Sequence, residues 1–253
     1  MNWLGMYTLF YKELLRFSKV VLQTVMAPVI TALLYLLVFS HVLEEHVSVY
    51  ENVTYTAFLI PGLIMMSIIQ NAFSNSSSSL IQSKMTGNII FVLLTPLSYL
   101  EFYCAFMLAA IVRGLVVGLG IYLVAIFFVE LPLYSIGWLL LFGFTGSAVL
   151  GTIGIITGVW AEKYDHIAGI QNFIIIPLSF LSGVFYSIHS LPELWQQVSH
   201  FNPFFYMIDG FRYGFFGISD VSPVMSLLVV LITWGVLGSA TLIMLKSGYK
   251  LRD

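Results

Sequence analysis

Residues 222–245 read SPVMSLLVVLITWGVLGSATLIML and contain no charged side chain. A helix needs about 20 mostly apolar residues to cross about 30 Å of hydrocarbon, so this stretch predicts a membrane-spanning helix. A strand of a membrane β-barrel would alternate apolar and polar residues over about 10 positions. The continuous run LVVLI at 228–232 argues against that reading.

Five similar runs precede this one. The six predicted spans are at about 20–40, 56–74, 102–129, 134–160, 167–187 and 222–245. The chain has 9% charged and 59% hydrophobic residues, whereas a soluble domain carries roughly 25% charged residues. We therefore expect an all-α polytopic membrane protein that forms a single domain over residues 1–253. We expect no cleavable signal peptide, because the first apolar run lacks a small-residue cleavage site.

The basic residues predict the orientation. In this topology eight of the 10 Lys and Arg residues share one side, and they are Lys12, Arg16, Lys19, Lys84, Lys163, Lys246, Lys250 and Arg252. Arg212 alone lies on the other side. By the positive-inside tendency, both termini are cytoplasmic in the inner membrane. The outer side is expected to carry the acids Glu44, Glu45, Glu51, Glu130, Glu193, Asp209 and Asp220.

Two smaller observations limit the function classes. The net charge of −2 gives no sign of nucleic-acid binding. The single cysteine, Cys104, excludes a disulfide within the chain.

The N-terminal stretch 2–19 predicts an amphipathic helix on the cytoplasmic leaflet. Its apolar face holds Trp3, Tyr7, Phe10, Leu14 and Phe17. Its polar face holds Gly5, Thr8, Lys12, Arg16 and Lys19. The helix is either a simple anchor or a docking element that couples to a partner. In the second case Lys12 and Arg16 are the candidate coupling residues.

Residues 75–100 are too many for a turn between neighbouring helices, which usually has 2–8 residues. We expect a short helix around 80–85, a break at Gly87–Asn88 and an apolar piece over 89–94. The stretch either extends the flanking spans or forms a cytoplasmic element, 80–96, that contacts a partner. We favour the partner element. Its candidate contacts are Leu80, Lys84 and Met85.

The outer segment 188–220 is too polar and too broken to span, which predicts a re-entrant or interfacial helical hairpin. The first helix is expected at about 192–198, with Ser190 as a candidate cap. The second is expected at about 203–211, with Asn202 as N-cap and Pro203 at the favoured first position. The spacing of Asp209 and Arg212 predicts an i,i+3 pair. His189 and His200 lack further ligands at metal-binding spacing, so we expect no metal site.

Arg113 is the one charge inside a predicted span, and an ionisable residue there is a functional candidate. No Asp or Glu is expected at its depth. Its partners would be carbonyl groups, polar side chains such as Gln70 or Asn71, another subunit, or an anionic lipid or substrate group. A structural hydrogen-bonding role and direct contact with cargo in a translocation path both remain open.

Small residues recur at intervals that allow close helix packing. They are Gly114 and Gly118, then Gly143, Ser147 and Gly151, then Gly154 and Gly158. Packing within the subunit is the commoner explanation and dimerisation the rarer one. Pro28, Pro61 and Pro177 are candidate kinks in the first, second and fifth spans.

Several motifs are missing from the sequence. A phosphate-binding loop ends in Gly–Lys–Ser/Thr, and no lysine here follows a glycine. No G-x-S-x-G or H-E-x-x-H motif is present. We therefore expect no catalytic residues, no bound cofactor and no enzyme activity of this chain alone. The absence of an acid inside a span also weakens the case for a proton- or sodium-coupled transporter.

Three stretches resemble the type-2 ABC transporter permeases, the six-span subunits of ABC exporters. They are YTLFYKELLRF (7–17), FLIPGLIMMSIIQNAFSNSSSSL (58–80) and PLSFLSGVFYSIHSLPELWQQVSHFNPFFYMIDGFRYGFFG (177–217). The likeness covers about residues 10–250. PGLIMMS, VRGLVVG and GFRYGFFGI are similar to the YadH-type inner-membrane permeases within that family.

The resemblance implies a homodimeric exporter energised by two copies of a separate cytoplasmic ATPase, which would bind the ATP and magnesium. It implies that elements 2–19 and 80–96 transmit ATP-driven movement. One departure concerns coupling: relatives often carry an acid after Asn-Ile, whereas residues 88–94 here read NIIFVLL. The alternatives are a passive pore or lipid scramblase without an ATPase, or an assembly scaffold. The cargo class stays open.

Overall fold

The computed structural model describes residues 2–43 and 53–250. Glu44, Glu45, Glu51 and Arg252, whose sides of the membrane are predicted above, lie outside these residues. The described chain is helical throughout its regular elements, which confirms the all-α prediction. Its α-helices are α1 Trp3–Ser18, α2 Val21–Leu43, α3 Tyr55–Met85, α4 Ile89–Leu93, α5 Tyr99–Ala125, α6 Ile136–Trp160, α7 Tyr164–Ile170, α8 Ile176–Phe180, α9 Glu193–His200, α10 Pro203–Phe216 and α11 Pro223–Ser247.

Five of these helices are long and apolar enough to cross a membrane. They are α2 (over Val21–Phe39), α3, α5, α6 and α11. These correspond to the first, second, third, fourth and sixth predicted spans. The chain is therefore a multi-pass membrane protein by length and composition.

The fifth predicted span, 167–187, is shorter than expected. Helix α7, a π-helical turn over Gln171–Ile175 and α8 follow one another from Tyr164 to Phe180. At 1.5 Å per residue this covers about 25 Å, less than the hydrocarbon thickness of about 30 Å. Pro177 cannot donate a backbone hydrogen bond, and the widened π turn lies directly before it. The count of six spans stays a prediction.

Helix α3 is longer than its predicted span, 56–74. The polar residues after Phe73 do not break it, because their hydroxyl groups bond back to their own helix. Ser77 Oγ donates to Phe73 O at 2.8 Å, and Ser78 Oγ donates to Ser74 O at 2.6 Å. The separate short helix expected at 80–85 is therefore wrong, because these residues are the last turns of α3. The break at Gly87, with φ 72°, and the following helix α4 agree with the prediction.

The core surrounds α3, which is buried along most of its length against α5, α6 and α10. Small residues make the closest approaches. A Cβ added to Gly154 on α6 would lie 2.5 Å from Phe73 O, and one added to Gly158 would lie 2.7 Å from Leu80 Cβ. A Cβ on Gly118 of α5 would lie 2.6 Å from the Ile68 side chain. These glycines therefore serve packing within the chain.

Candidate functional site

Contacts near both ends of the chain bring the two termini to the same end of the bundle. The backbone N–H of Asn2 donates to the Glu101 carboxylate at the start of α5. Lys250 Nζ donates to Glu162 Oε1, just after α6, at 2.6 Å. Lys84 Nζ donates to two of the last carbonyl groups of α6, at 2.7 and 2.8 Å. We call this part, where Asn2, Lys84 and Lys250 lie, the basic end.

Helix α1 packs along α5. The buried face carries Leu9, Glu13 and Phe17. Trp3 and Tyr7, predicted to dip into the leaflet, are exposed on the surface of the helix, where a membrane could contact them. Phe17, predicted on the same face, lies instead on the buried face of the helix.

Glu13 is fully buried, with 0% of its surface exposed. Its Oε1 accepts from Ser79 Oγ at 2.8 Å and lies 3.2 Å from Lys12 Nζ, and its Oε2 accepts from Arg16 Nε at 3.2 Å. Glu13 is not among the site residues predicted from the sequence. The available signal was its i,i+4 register with Leu9 and Phe17, which places it on their face.

Arg16 fastens α1 to α3. Its Nη2 donates to Asn75 O at 2.8 Å and to Asn75 Oδ1 at 3.1 Å, and its Nη1 donates to Ser78 Oγ at 3.3 Å. The predicted coupling residues Lys12 and Arg16 thus lie together around Glu13. In this structure both hold α1 against the serine- and asparagine-rich turns of α3.

Arg113 lies one helical turn further along this face of α3. Its Nη2 donates to Asn71 Oδ1 at 3.4 Å, and its guanidinium lies 5.8 Å from the centre of the Phe17 ring. Its Nε is buried without an acceptor, and so is the side-chain nitrogen of Gln70. The structure therefore joins Arg113 to one of its predicted partners, Asn71.

These contacts place Arg113 beside the end of α1. Phe17 precedes the first residue of α2, Val21, where the first candidate span begins. Arg113 is therefore level with the start of that span, and its depth in the membrane stays a prediction. Glu13, one turn before Phe17, is an acid close to this level, which the sequence analysis did not expect. The local sequence could not reveal it, because it belongs to a different helix.

Gln70 and Asn71 also line an open groove between α2, α3 and α8. The groove has a volume of about 350 Å³. Its lining residues are Ala27, Pro28, Thr31, Ala32, Tyr35, Leu63, Met66, Ser67, Gln70, Asn71, Ile176 and Phe180. A mostly apolar groove with amide groups along part of its wall suits an amphipathic molecule.

The predicted coupling contacts differ in exposure. Leu80 is 0% exposed and packs against Gly158, so it cannot form part of a docking surface in this conformation. Met85 is 58% exposed. The largest exposed apolar side chains of the segment lie further on, with Phe91 71% and Leu94 77% exposed. We call Met85, Ile90, Phe91 and Leu94 the apolar tip.

Two grooves flank α1 beside the apolar tip. One, of about 590 Å³, lies between α1 and residues 88–97. The other, of about 540 Å³, lies between α1 and the last turns of α3. Thr8, Lys12 and Asn88 line both. The basic end therefore offers a nearly continuous concave surface with an apolar edge and a basic wall.

The opposite end of the bundle, residues 181–221, is the hairpin end. Asn202 Oδ1 accepts from the Phe204 backbone N–H at 3.0 Å, and Pro203 takes the first helical position of α10, as predicted. Asn202 Nδ2 also donates to Leu178 O in α8 at 2.7 Å. The first hairpin helix is α9, whose N-cap position is Pro192, so the expected Ser190 cap is wrong.

Asp209 and Arg212 do not form the expected ion pair; each is buried with its own backbone partners. Asp209 accepts from the N–H groups of Asp220 and Val221 at 2.8 and 3.0 Å. Arg212 Nη2 donates to Gly183 O at 2.6 Å, and its guanidinium lies 3.8 Å from the centre of the Phe58 ring.

Comparison with known proteins now decides the family. The family model described as "ABC-2 type transporter" matches residues 5–216. The chain belongs to the ABC-2 type transporter family. The "Inner membrane transport permease YadH" of Escherichia coli (strain K12) is 36% identical over 232 residues, which cover 92% of this chain and 90% of that protein. "Nodulation protein J" of Rhizobium leguminosarum bv. viciae is 27% identical over 219 residues, which cover 84% and 81% of the two chains.

Membership of the ABC-2 family confirms the resemblance drawn from the sequence motifs. Together with the long apolar helices, it supports the prediction of a multi-pass inner-membrane transport permease. In this family a separate ATPase subunit is the general partner. The family match covers α1 from Gly5 onward, the apolar tip, the groove at Gln70 and Asn71, and most of the hairpin end.

Proposed function

We propose that this chain is the membrane subunit of an ABC exporter. Two copies would form the permease, and two copies of a separate cytoplasmic ATPase, holding ATP and magnesium, would drive it. Substrate would move outward between the two bundles. Support comes from the family match and from a relative named as a transport permease.

The observation that carries this proposal is the apolar tip. Phe91 and Leu94 expose most of their side chains at the basic end, beside a groove of about 590 Å³. A protruding aromatic and aliphatic pair next to a concave surface is typical of a protein contact. Because no phosphate-binding loop occurs in the sequence, a partner that contacts this tip is the natural source of ATP hydrolysis.

The polar contacts suggest how movement would pass into the spans. A partner that displaced the apolar tip or α1 would act on Glu13 and Arg16. These two residues bond to Ser79 and Asn75 of α3, which continues into the second span. Met85, Lys12 and Arg16 keep the coupling role predicted for them in this scheme. Lys84 contributes by joining α3 to the end of α6.

The orientation is part of the proposal. We infer six spans with both termini cytoplasmic, the fifth being the short α7–α8 segment, and a hairpin that re-enters the outer leaflet. In a Cys104→Ser background, a cysteine at Phe201, which is 89% exposed, should react with an impermeant thiol reagent added to intact cells. A cysteine at Lys250 should not react. The reverse pattern would place the apolar tip outside the cell and end the proposal.

Partner capture tests the coupling directly. Tagged wild-type permease should co-purify with an ATPase, and the double variant Phe91→Asp, Leu94→Asp should lose it while remaining folded. The matched control is Phe201→Asp, which makes a similar change at an exposed phenylalanine of the hairpin end and should retain the partner. Retention by the double variant would reject the apolar tip as the contact.

The alternative is a passive pore or a lipid scramblase. The groove between α2, α3 and α8 supports this alternative, because an apolar groove with amide groups also suits passive movement of lipid. Flux that persists in ATP-depleted vesicles, with no ATPase captured, would support this alternative over the exporter.

A further inference from the structure

The basic end holds more positive than negative charge. Where α1 packs on α3 and α5, Lys12 and Arg16 share one buried carboxylate, Glu13, and Arg113 adds a third positive charge nearby. Both Glu13 oxygens are occupied by Ser79, Lys12 and Arg16. Within the described residues, no carboxylate lies within ion-pair distance of Arg113, and the neighbouring charge that acts on it is the positive charge of Arg16. Two arginines close to each other, with only one carboxylate nearby in the part of the chain that the structure describes, favour the binding of an anion.

The same place has buried hydrogen-bond donors without acceptors. Arg113 Nε and Asn75 Nδ2 are both buried and unpartnered, and Asn75 as a whole is fully buried. Asn71 and Asn75 are one turn apart on α3. Arg16 donates to the Asn75 side chain, and Arg113 donates to the Asn71 side chain. Leaving a buried donor unpaired costs about 1–3 kcal/mol. An acceptor with several oxygens would satisfy both groups at once.

The position of the cluster indicates where such an acceptor comes from. Arg113 is level with the start of the first span, as its contact with Phe17 places it, and its side chain is partly exposed. Next to it, the first turns of α2 expose Val21, Leu22 and Met26. A cation at the start of an exposed apolar helix surface matches a lipid, whose head group lies at that level and whose chains run along the helix.

We propose that Arg113, Arg16 and Asn75 bind the phosphoryl group of an anionic phospholipid from the cytoplasmic leaflet, at the junction of α1, α3 and α5. Arginine suits this role because its planar fork offers several donors to phosphate oxygens. The bound lipid would supply the missing negative charge and brace α1 against α3. The site adjoins the groove between α2, α3 and α8, because Asn71, the partner of Arg113, also lines that groove.

Lipid binding to the purified full-length permease tests the site. In nanodiscs or detergent, phosphatidylglycerol should raise the melting temperature more than phosphatidylcholine does. Arg113→Gln should weaken the apparent affinity for phosphatidylglycerol about tenfold, the equivalent of one charged hydrogen bond, and Arg113→Lys less. The control Lys246→Gln, which removes a charge on the same side in α11, should bind like wild type. Equal binding by Arg113→Gln and wild type would overturn the site.

A second variant separates an anion site from a merely structural cluster. Asn75→Asp replaces the unpartnered donor with an acceptor and supplies the missing charge from the chain itself. We expect a higher melting temperature without lipid and a smaller response to phosphatidylglycerol. A lower melting temperature with an unchanged lipid response would contradict the proposal. Inorganic phosphate is the last ligand to test. If it raises the melting temperature as much as phosphatidylglycerol does, the bound phosphoryl group belongs to a soluble compound, and the lipid assignment is wrong.

Discussion

The two ends of the bundle hold their buried polar side chains in different ways. At the hairpin end Asp209, Asn202 and Arg212 bond to backbone groups, and one donor, Arg212 Nε, stays unpaired. At the basic end Arg16 and Glu13 bond to each other and to side chains of α3, Arg16 also donates to Asn75 O, and donors on Arg113 and Asn75 stay unpaired.

This difference indicates which end is built to change. Backbone partners are fixed by the fold, so the contacts of Asp209, Asn202 and Arg212 at the hairpin end cannot be exchanged while the fold persists. Side-chain partners on two separate helices can be exchanged when one helix moves. We therefore expect the hairpin end to act as a fixed support and the basic end to respond to a partner.

The largest expected effect is a loss of folding at the basic end, caused by a substitution of the buried residue Leu80. Leu80→Asp would place a charge in the core against Gly158 and should prevent accumulation of folded protein. Met85→Asp, on the same helix but exposed, should change the free energy of unfolding by only about 0.5 kcal/mol. Expression and thermal melting in detergent measure both. Normal folding of Leu80→Asp would contradict the packing of α3 against α6.

The next effect tests the fixed hairpin end. Asp209→Leu leaves the N–H groups of Asp220 and Val221 without their acceptor, at about 1–3 kcal/mol each. We expect a loss of about 4 kcal/mol, seen as a marked fall in melting temperature. Asp165→Leu removes an exposed acid from the first turn of α7 and serves as the control. A similar small change in both variants would show that the hairpin end is not held by Asp209.

A smaller effect is expected from Glu13→Gln. The amide keeps an oxygen for Ser79 but cannot balance Lys12 and Arg16, which should cost about 2 kcal/mol, in the range for hydrogen bonds to charged groups. Limited proteolysis should cut α1 faster in this variant than in wild type. The control is Glu193→Gln in the first turn of α9. Unchanged protection of α1 would mean that Glu13 does not hold the helix.

The smallest effect concerns the surface pair at the basic end. The Lys250 ammonium lowers the pKa of the Glu162 carboxyl below its ordinary value. A carboxyl with a lowered folded-state pKa stabilises the fold above its unfolded pKa, and this contribution disappears as pH falls through the folded value. Melting curves between pH 7 and about pH 3 should therefore show a slightly weaker acid dependence in Glu162→Gln. A larger acid dependence in that variant would have the wrong sign.

The sequence predicts the features that depend on neighbours along the chain. The apolar runs locate five spanning helices, and Asn202–Pro203 locates the start of α10. Prediction from the sequence fails where contacts with a distant element determine the position of a side chain. Asp209 and Arg212 have the i,i+3 spacing of an ion pair. In the structure Asp209 instead accepts from the backbone N–H groups of residues 220 and 221, and Arg212 donates to the carbonyl of residue 183. Glu13 lies on the buried face of α1, and Ser79 of the distant helix α3 donates to its carboxylate. Asn71, Asn75 and Ser79 recur at every fourth residue of α3. This spacing indicates a polar face of α3 against which the polar side chains of another helix could pack.

Hydrogen–deuterium exchange on the permease–ATPase complex, with and without trapping by ATP and vanadate, tests the central claim most directly. We predict changed exchange in α1 and in residues 71–94, and unchanged exchange in residues 202–221. Changed exchange at 202–221 alone, with α1 and 71–94 unaffected, would contradict the claim that the basic end receives the ATPase signal.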